Sequence, residues 1–262
     1  MSTDGTEKLP DSERPAVAER RRRRTIRNEV LIVLGLSALT YTAYALVSLA
    51  YISLRTPARS AVAVTSFPHH FDPYAFANDL IGDLTPLLPV ALVLHLFRDA
   101  TRRLGLVFKR RDVAIGFAAG LLGLVAAVAL TNAGRSLGLP VHQIVPVNPD
   151  ASASYIVLFF TTSVSAAIWE ELIVNAYVLV RLDDLGWSAN RALLLSALVR
   201  ASYHVYQGVP SAIAIGVGGL ILGRIFQRTG RIVTPMVAHF AFDAVGFLGY
   251  FFLAPHVSWL RA

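Results

Sequence analysis

The chain of 262 residues contains no cysteine. Disulfide bonds, thiol nucleophiles and thiolate metal sites are therefore excluded, and any metal would have to be bound by histidine and carboxylate side chains alone. Charged residues are also scarce, at 16% of the sequence, whereas hydrophobic residues make up 55%. Several apolar runs approach the ~20 residues that a helix needs to cross a bilayer, and the alternating pattern of a membrane barrel is missing. The sequence therefore predicts an all-α protein, a polytopic membrane helix bundle.

Seven apolar segments predict seven spanning helices. They follow residues 1–27, a polar and increasingly basic stretch that we expect to be a disordered cytoplasmic tail, so that residues 28–262 form the membrane domain. The predicted spans are residues 30–54, 80–97, 113–130, 154–182, 191–206, 211–226 and 232–253. Two spans carry glycines at four-residue spacing, which predicts close helix packing, namely Gly116 with Gly120 and Gly219 with Gly223.

The net charge of +7 raises the question of a nucleic-acid partner, which the positions of the basic residues answer. Of the 24 lysines and arginines, 19 fall in the N-terminal tail and in loops on its side of the membrane, four fall on the other side, and Arg200 lies within a span. This is the positive-inside distribution of a multi-pass protein. It predicts a plasma-membrane protein with its N-terminus in the cytoplasm and its C-terminus outside, and it leaves no need for a nucleic acid.

The fourth predicted span carries two adjacent carboxylates, Glu170 and Glu171, near its middle. A charged side chain at the centre of a bilayer costs roughly 2.5 to 3.5 kcal/mol on insertion scales, so two neighbouring acids need partners or a function. Candidate partners lie in two later spans, and their four-residue spacing places each pair on one helix face. These pairs are Arg200 with His204 and His239 with Asp243.

The chemistry that these residue types support is hydrolysis or proton movement. A buried carboxylate can act as a general base on a water, while imidazoles can hold that water or a metal, or stabilise an oxyanion. The same residue types serve proton-coupled carriers, so the residues alone leave both functions open. A purely structural role would be a costly way to join helices in a membrane.

Three segments resemble the CPBP family of intramembrane proteases, which includes CAAX prenyl endopeptidases and Abi-like bacterial proteins. The segments are WEELIVN over Trp169–Asn175, SALVRASYHVYQG ending at Gly208, and GLILGRIFQRTGRIVTPMVAHFAFD ending at Asp243. The resemblance covers roughly residues 150–250, the expected protease-like core. It implies an endopeptidase acting on peptide or membrane-protein substrates in the bilayer. A non-catalytic immunity or binding protein of the Abi-like kind is the further alternative.

The resemblance also implies a role for each site residue. Glu170 would activate the attacking water, Glu171 would orient it, and the two histidines would bind the water, a metal or the oxyanion. If a divalent metal such as zinc is used, the implied ligands are Glu170, His204, His239 and Asp243.

Two positions depart from the family pattern. Asn175 stands where the first motif, EExxxR, has arginine, and Arg200 stands where the second motif, FxxxH, has an aromatic residue. Both positions are one helical turn from a motif residue. We therefore predict that Arg200 replaces the missing arginine by pairing with Glu171 or Glu170 across the fourth and fifth spans.

Overall fold

The computed structural model describes residues 14–55, 61–65, 70–97, 99–137, 143–147, 155–253 and 256–257. Within these ranges the chain is almost entirely helical, as expected where the backbone has no water with which to form hydrogen bonds. The helices are α1 Arg14–Gly35, α2 Ala38–Arg55, α3 Pro73–Leu84, α4 Leu87–Leu96, α5 Ala100–Arg103, α6 Arg110–Ser136, α7 Ile156–Trp169, α8 Val178–Asp184, α9 Ala189–Ser202, α10 Val209–Thr229 and α11 Val233–Leu253. The fold class predicted from the sequence, a polytopic helical bundle, is confirmed.

Two short strands add a detail that the sequence did not predict. Strands β1 Ala61–Thr65 and β2 Gln143–Val147 pair in parallel, with Val62 opposite Ile144. Both strands lie between membrane helices, and both are rich in β-branched valine and isoleucine, which favour extended backbone.

Six helical stretches of the described chain are long and apolar enough to cross a membrane. They are Arg14–Ile52, Pro73–Leu96, Arg110–Leu130, Ile156–Asp184, Val209–Thr229 and Val233–Leu253. The sequence predicted seven such spans, and the difference lies in the fifth. Helix α9 has only 14 residues. Such a helix rises ~21 Å, whereas the hydrocarbon core is ~30 Å thick.

Helix α9 nevertheless returns the chain through the bundle. The Arg224 Nη2 atom on α10 donates to Asn190 Oδ1 near the start of α9 at 2.6 Å, whereas Gly216 packs beside Ala201 near the end of α9. The two helices are therefore antiparallel. The described chain thus has six helical stretches of spanning length, and the fifth predicted span is the shorter helix α9. Which face of the bundle is cytoplasmic stays a prediction.

The expected disorder of the N-terminal tail is wrong for residues 14–27, which form the first part of α1. Arginine and alanine favour helix, Arg23 Nε pairs with Glu19 Oε1 at 2.7 Å one turn away, and Ile26 is buried against the bundle. The low hydrophobicity of this stretch predicted disorder, but its continuity with a membrane helix supplies the nucleus that a short helix lacks. Residues 1–13 lie outside the described chain.

The predicted packing of Gly116 and Gly120 is confirmed. A Cβ atom added to Gly116 would lie 2.7 Å from the Thr234 carbonyl oxygen, and one added to Gly120 would lie 2.3 Å from that of Ala238. Because only glycine allows such an approach, α6 packs directly on the backbone of α11. This contact positions the helix that carries His239.

An ion-pair network fixes one end of the fourth span. Arg181 on α8 donates through Nη2 to both carboxylate oxygens of Glu29 on α1, at 2.6 and 2.8 Å. Asp184 pairs with Arg181 at 3.2 Å and with Arg103 on α5 at 2.7 Å. The Tyr177 hydroxyl also donates to Glu29, at 3.1 Å. These contacts hold α1 and α5 against the end of the span that carries Glu170 and Glu171.

Candidate active site

The two glutamates lie on a π-helical segment. Residues 156–184 form one continuous helix, named here the carboxylate helix, in which α7 and α8 flank the π-helix Glu170–Tyr177. All eight residues of that segment are buried. A π-helix is rare and is found frequently at functional sites. The regular α-helix is therefore interrupted at the two residues, Glu170 and Glu171, that begin this segment.

Glu171 is fully buried and hydrogen-bonded at both carboxylate oxygens. Its Oε1 atom accepts from Arg200 Nη2 and lies 3.0 Å from His239 Nδ1, while its Oε2 atom accepts from Asn175 Nδ2. The Asn175 amide is itself held by Ser196, whose hydroxyl donates to Oδ1 at 3.0 Å. Glu171 thus joins the carboxylate helix to α9 and α11, and its oxygens are engaged as acceptors.

Glu170 has a different environment. Its Oε2 atom accepts a hydrogen bond from the Tyr203 hydroxyl at 2.8 Å, and it lies 3.7 Å from both Arg200 Nη1 and His204 Nε2. These described contacts all fall on Oε2, so Oε1 is the carboxylate oxygen that they leave available. The His204 side chain is 18% exposed, compared with 6% for that of Glu170. The reachable side of the site is therefore the side on which Glu170 and His204 meet.

His239 lies between two carboxylates. Its Nδ1 atom is 3.0 Å from Glu171 Oε1, and its Nε2 atom is 3.2 Å from Asp243 Oδ2. Each ring nitrogen therefore faces a carboxylate oxygen, and the ring links Glu171 on the carboxylate helix to Asp243 one turn further along α11.

The arrangement does not fit a metal centre. Among the described residues, no group of three or more histidine, aspartate or glutamate side chains is placed to hold a metal ion. Both ring nitrogens of His239 face carboxylates, and Arg200 occupies the space between Glu170 and Glu171. A metal needs imidazole lone pairs and carboxylates that are not already bound to a guanidinium. The zinc ligands implied by the family resemblance thus remain a prediction that these contacts disfavour.

The predicted pairing of Arg200 is confirmed. Its guanidinium donates to Glu171 and lies 3.7 Å from Glu170, so the arginine of α9 stands beside both acids. The expectation that Arg200 and His204 share a helix face is wrong, since α9 ends at Ser202. His204 reaches Glu170 from the turn that follows, and this turn is closed by Gly208 at φ +92°, a conformation that glycine adopts readily.

The glycines of α10 make room for the two residues that depart from the family pattern. A Cβ atom on Gly219 would lie 2.9 Å from Arg200 Cδ, and one on Gly223 would lie 3.0 Å from Asn175 Oδ1. The close packing predicted for this glycine pair is confirmed. The pair also takes part in the site, because it forms the wall behind Arg200 and Asn175.

Two site residues were missed from the sequence, Tyr203 and Ser196. Ser196 lies four residues before Arg200, on the same face of α9, and that spacing could have identified it. Tyr203 directly precedes His204, but a neighbour in sequence points elsewhere on a regular helix. It reaches Glu170 because the helix ends before it.

A further acid, Asp83, lies in the membrane outside the site. Asp83 on α3 falls inside a stretch of spanning length, Pro73–Leu96. Its Oδ2 atom accepts from the Thr162 hydroxyl at 2.8 Å, and its carbonyl oxygen accepts from Ser165. Both partners precede Glu170 on the carboxylate helix, so Asp83 forms a separate polar contact on α7.

The chain also contains one serine-hydrolase signature, GxSxG, in the sequence GRSLG at residues 134–138. That motif works where a sharp strand-to-helix turn exposes the serine. Ser136 instead ends the long helix α6, and its hydroxyl donates to the Ala133 carbonyl oxygen at 2.8 Å. The match is one of spacing alone and does not supply a nucleophile.

The fold and this buried centre define the class: a polytopic membrane protein with an internal site of two glutamates, two histidines, an arginine and an aspartate. Residues 152–245 match the family model described as type II CAAX prenyl endopeptidase Rce1-like. The family predicted from the sequence, a family of membrane proteases, is therefore confirmed over this segment, which contains every site residue described above. Among curated proteins and solved structures, none matches the chain.

Proposed function

We propose that this protein is an intramembrane endopeptidase in which Glu170 is the general base. The observation that carries the proposal is the contrast between the adjacent acids. Glu171 is engaged at both oxygens by Arg200, His239 and Asn175, whereas the described contacts of Glu170 leave Oε1 available. A general base must reach the proton that it removes, and Glu170 alone meets that condition beside the partly exposed His204.

The reaction follows from this placement. Glu170 Oε1 takes a proton from a water, and the water oxygen bonds to the carbonyl carbon of the scissile peptide. The carbonyl oxygen then carries the negative charge and accepts a hydrogen bond from His204, which acts as the oxyanion donor. Glu170 returns its proton to the amide nitrogen, the C–N bond breaks, and the products are a free amine and a carboxylic acid, which then ionises in water.

The other residues position these two. Arg200 supplies positive charge next to the acids, His239 contacts Glu171, and Asp243 holds the far nitrogen of His239. The substrate class is a peptide or membrane-protein segment that reaches the site from the bilayer. In keeping with the distribution of basic residues, the protein would reside in the plasma membrane with its N-terminus in the cytoplasm.

The test is cleavage of a peptide library and of membrane-anchored peptides by the purified protein in liposomes. Glu170→Gln keeps the shape of the side chain, and we expect it to lower kcat by at least ~100-fold, the usual contribution of a general base. Asp83→Asn is the matched control, because it neutralises a membrane acid outside the site. Cleavage by Glu170→Gln at the wild-type rate would refute the proposal.

A proton-coupled carrier is the second candidate, favoured by Asp83. The hydrogen bond between Thr162 on α7 and Asp83 lies on the same continuous helix as Glu170. Ionisable side chains that follow one another through a membrane protein are typical of proton relays. If the protein is a carrier, liposomes should show a proton flux that both Asp83→Asn and Glu170→Gln abolish. If it is a protease, Glu170→Gln should abolish peptide cleavage, and Asp83→Asn should leave cleavage unchanged. An immunity or binding protein would show neither activity.

A further inference from the structure

Tyr203 occupies the position at which α9 ends. It follows Ser202, the last residue of the helix, and precedes His204. Its side chain is buried, and its hydroxyl donates to Glu170 Oε2 at 2.8 Å. The chain therefore places a phenol against the proposed base and an imidazole beside it from two consecutive residues.

Aromatic neighbours fix the direction of the phenol. The Tyr203 ring lies 5.3 Å from the ring of Trp169 and 4.8 Å from that of His204, measured between centroids. Trp169 is itself stacked on Tyr41 at 5.1 Å. Because Trp169 directly precedes Glu170, the phenol is packed between the sequence neighbour of the base and the proposed oxyanion donor. A ring held on two sides has little freedom to aim its hydroxyl elsewhere.

The hydrogen bond from Tyr203 decides which carboxylate oxygen meets the water. In the described part of the chain, Tyr203 is the one side chain within hydrogen-bond distance of Glu170, since Arg200 and His204 stand 3.7 Å away. Charges at that distance stabilise the carboxylate without fixing its rotation, whereas a hydrogen bond is directional. With Oε2 bound to the phenol and nearest to Arg200 and His204, Oε1 is the oxygen that the described contacts leave for a water.

We propose that Tyr203 is a positioning residue that fixes Glu170 with Oε1 facing the attacking water. The inference rests on the proposed function, in which Glu170 is the base. It adds to the site a residue that stands at an unspecified position of the second motif, FxxxH, directly before His204.

The test is Tyr203→Phe, which removes one oxygen atom and keeps the packed ring. We expect kcat to fall about 10- to 100-fold, the loss that corresponds to one hydrogen bond to a charged group, with KM unchanged. Tyr155→Phe is the matched control. Tyr155 is equally buried and its hydroxyl accepts from the Asp72 amide at 3.2 Å, far from the site, so kcat should stay at the wild-type value.

A readout other than rate separates positioning from structure. Infrared difference spectra of protein with labelled glutamate should show a shift of one carboxylate band in Tyr203→Phe, and that shift should be absent from the Glu170→Gln background. In the same background, Tyr203→Phe should cause no further loss of cleavage. A wild-type kcat in Tyr203→Phe, or a loss confined to KM, would overturn the role of Tyr203 while leaving Glu170 as the base. A wild-type protein that cleaves no peptide overturns the proposed function itself.

Discussion

The wall behind Arg200 gives the sharpest test of the site, because α10 carries two adjacent glycines in contrasting surroundings. A Cβ atom on Gly219 would lie 2.9 Å from Arg200 Cδ and 3.4 Å from its Nε, whereas a Cβ atom on Gly218 would meet nothing within 4 Å. Alanine at either position gains the same helix propensity. The pair of variants Gly219→Ala and Gly218→Ala therefore isolates the contact with Arg200.

The magnitude follows from two opposing effects. Alanine in place of glycine inside a helix is favourable by about 0.5 to 1 kcal/mol, and this gain applies to both variants. An extra methyl group in a packed interior costs about 1 to 3 kcal/mol when its neighbours cannot move. Arg200 is not free to move, since its guanidinium is bound between Glu171 and Glu170. We thus expect Gly219→Ala to be about 1 to 3 kcal/mol less stable than Gly218→Ala.

The assay is denaturant unfolding in one detergent, with cleavage measured in parallel. Gly219→Ala should also lower kcat, because the added methyl group strains the contact between Arg200 and Glu171. When Arg200 is itself replaced by alanine, the methyl group at position 219 no longer meets the arginine side chain. The difference in stability between the two alanine variants should then disappear. Equal stability of the two variants with Arg200 present, or a difference that persists without it, would refute this account of α10.

Three further predictions concern charge, metal and topology. Arg200→Ala should abolish cleavage and destabilise the protein by about 3 to 5 kcal/mol, because it leaves Glu171 buried with one charge partner fewer. Arg200→Lys should recover only part of the activity and part of the stability. An Arg200→Ala protein as stable as the wild type in unfolding measurements would contradict this prediction. Elemental analysis should find no stoichiometric zinc in active protein, and chelators should leave kcat unchanged; a bound zinc whose removal abolishes cleavage would show that the contacts of His239 rearrange. A C-terminal tag should be reached by protease only from outside the cell, and protection there would reverse the orientation predicted from the basic residues.

Much of the fold could be predicted because membrane insertion acts on short-range properties of the sequence. Length and hydropathy identify a span wherever the segment itself must satisfy its backbone hydrogen bonds, as in α6, α10 and α11. Helix α9 departs from this rule. Its 14 residues are followed by a turn in which Tyr203 and Gly208 are buried and the residues between them are half-buried, and packing within protein removes the need for a continuous helix. Hydropathy does not distinguish contact with lipid from contact with neighbouring helices.

The site was predictable in its charges and not in its geometry. An acid in a membrane needs a partner, so Glu171 and Arg200 could be paired from the sequence with no structure. The π-helix at Glu170 and the early end of α9 were not predictable, because both are local departures from helix geometry that tertiary packing stabilises. Tyr203 enters the site through the second of these departures, which explains why helical spacing failed to identify it.

The move of the arginine from the carboxylate helix to α9 also changes what the rest of the bundle must supply. An arginine at position 175, on the same helix as Glu171, would reach the acid along one helix face. From α9, the guanidinium reaches Glu171 beside α10, so its stem needs the space that Gly219 provides. The vacated position holds Asn175, whose amide donates to Glu171 and receives a hydrogen bond from Ser196. The two departures from the family pattern are thus parts of one arrangement. Asn175→Arg alone should therefore lower cleavage activity instead of restoring the family arrangement, because a second guanidinium would enter the space bounded by Gly223 and Ser196.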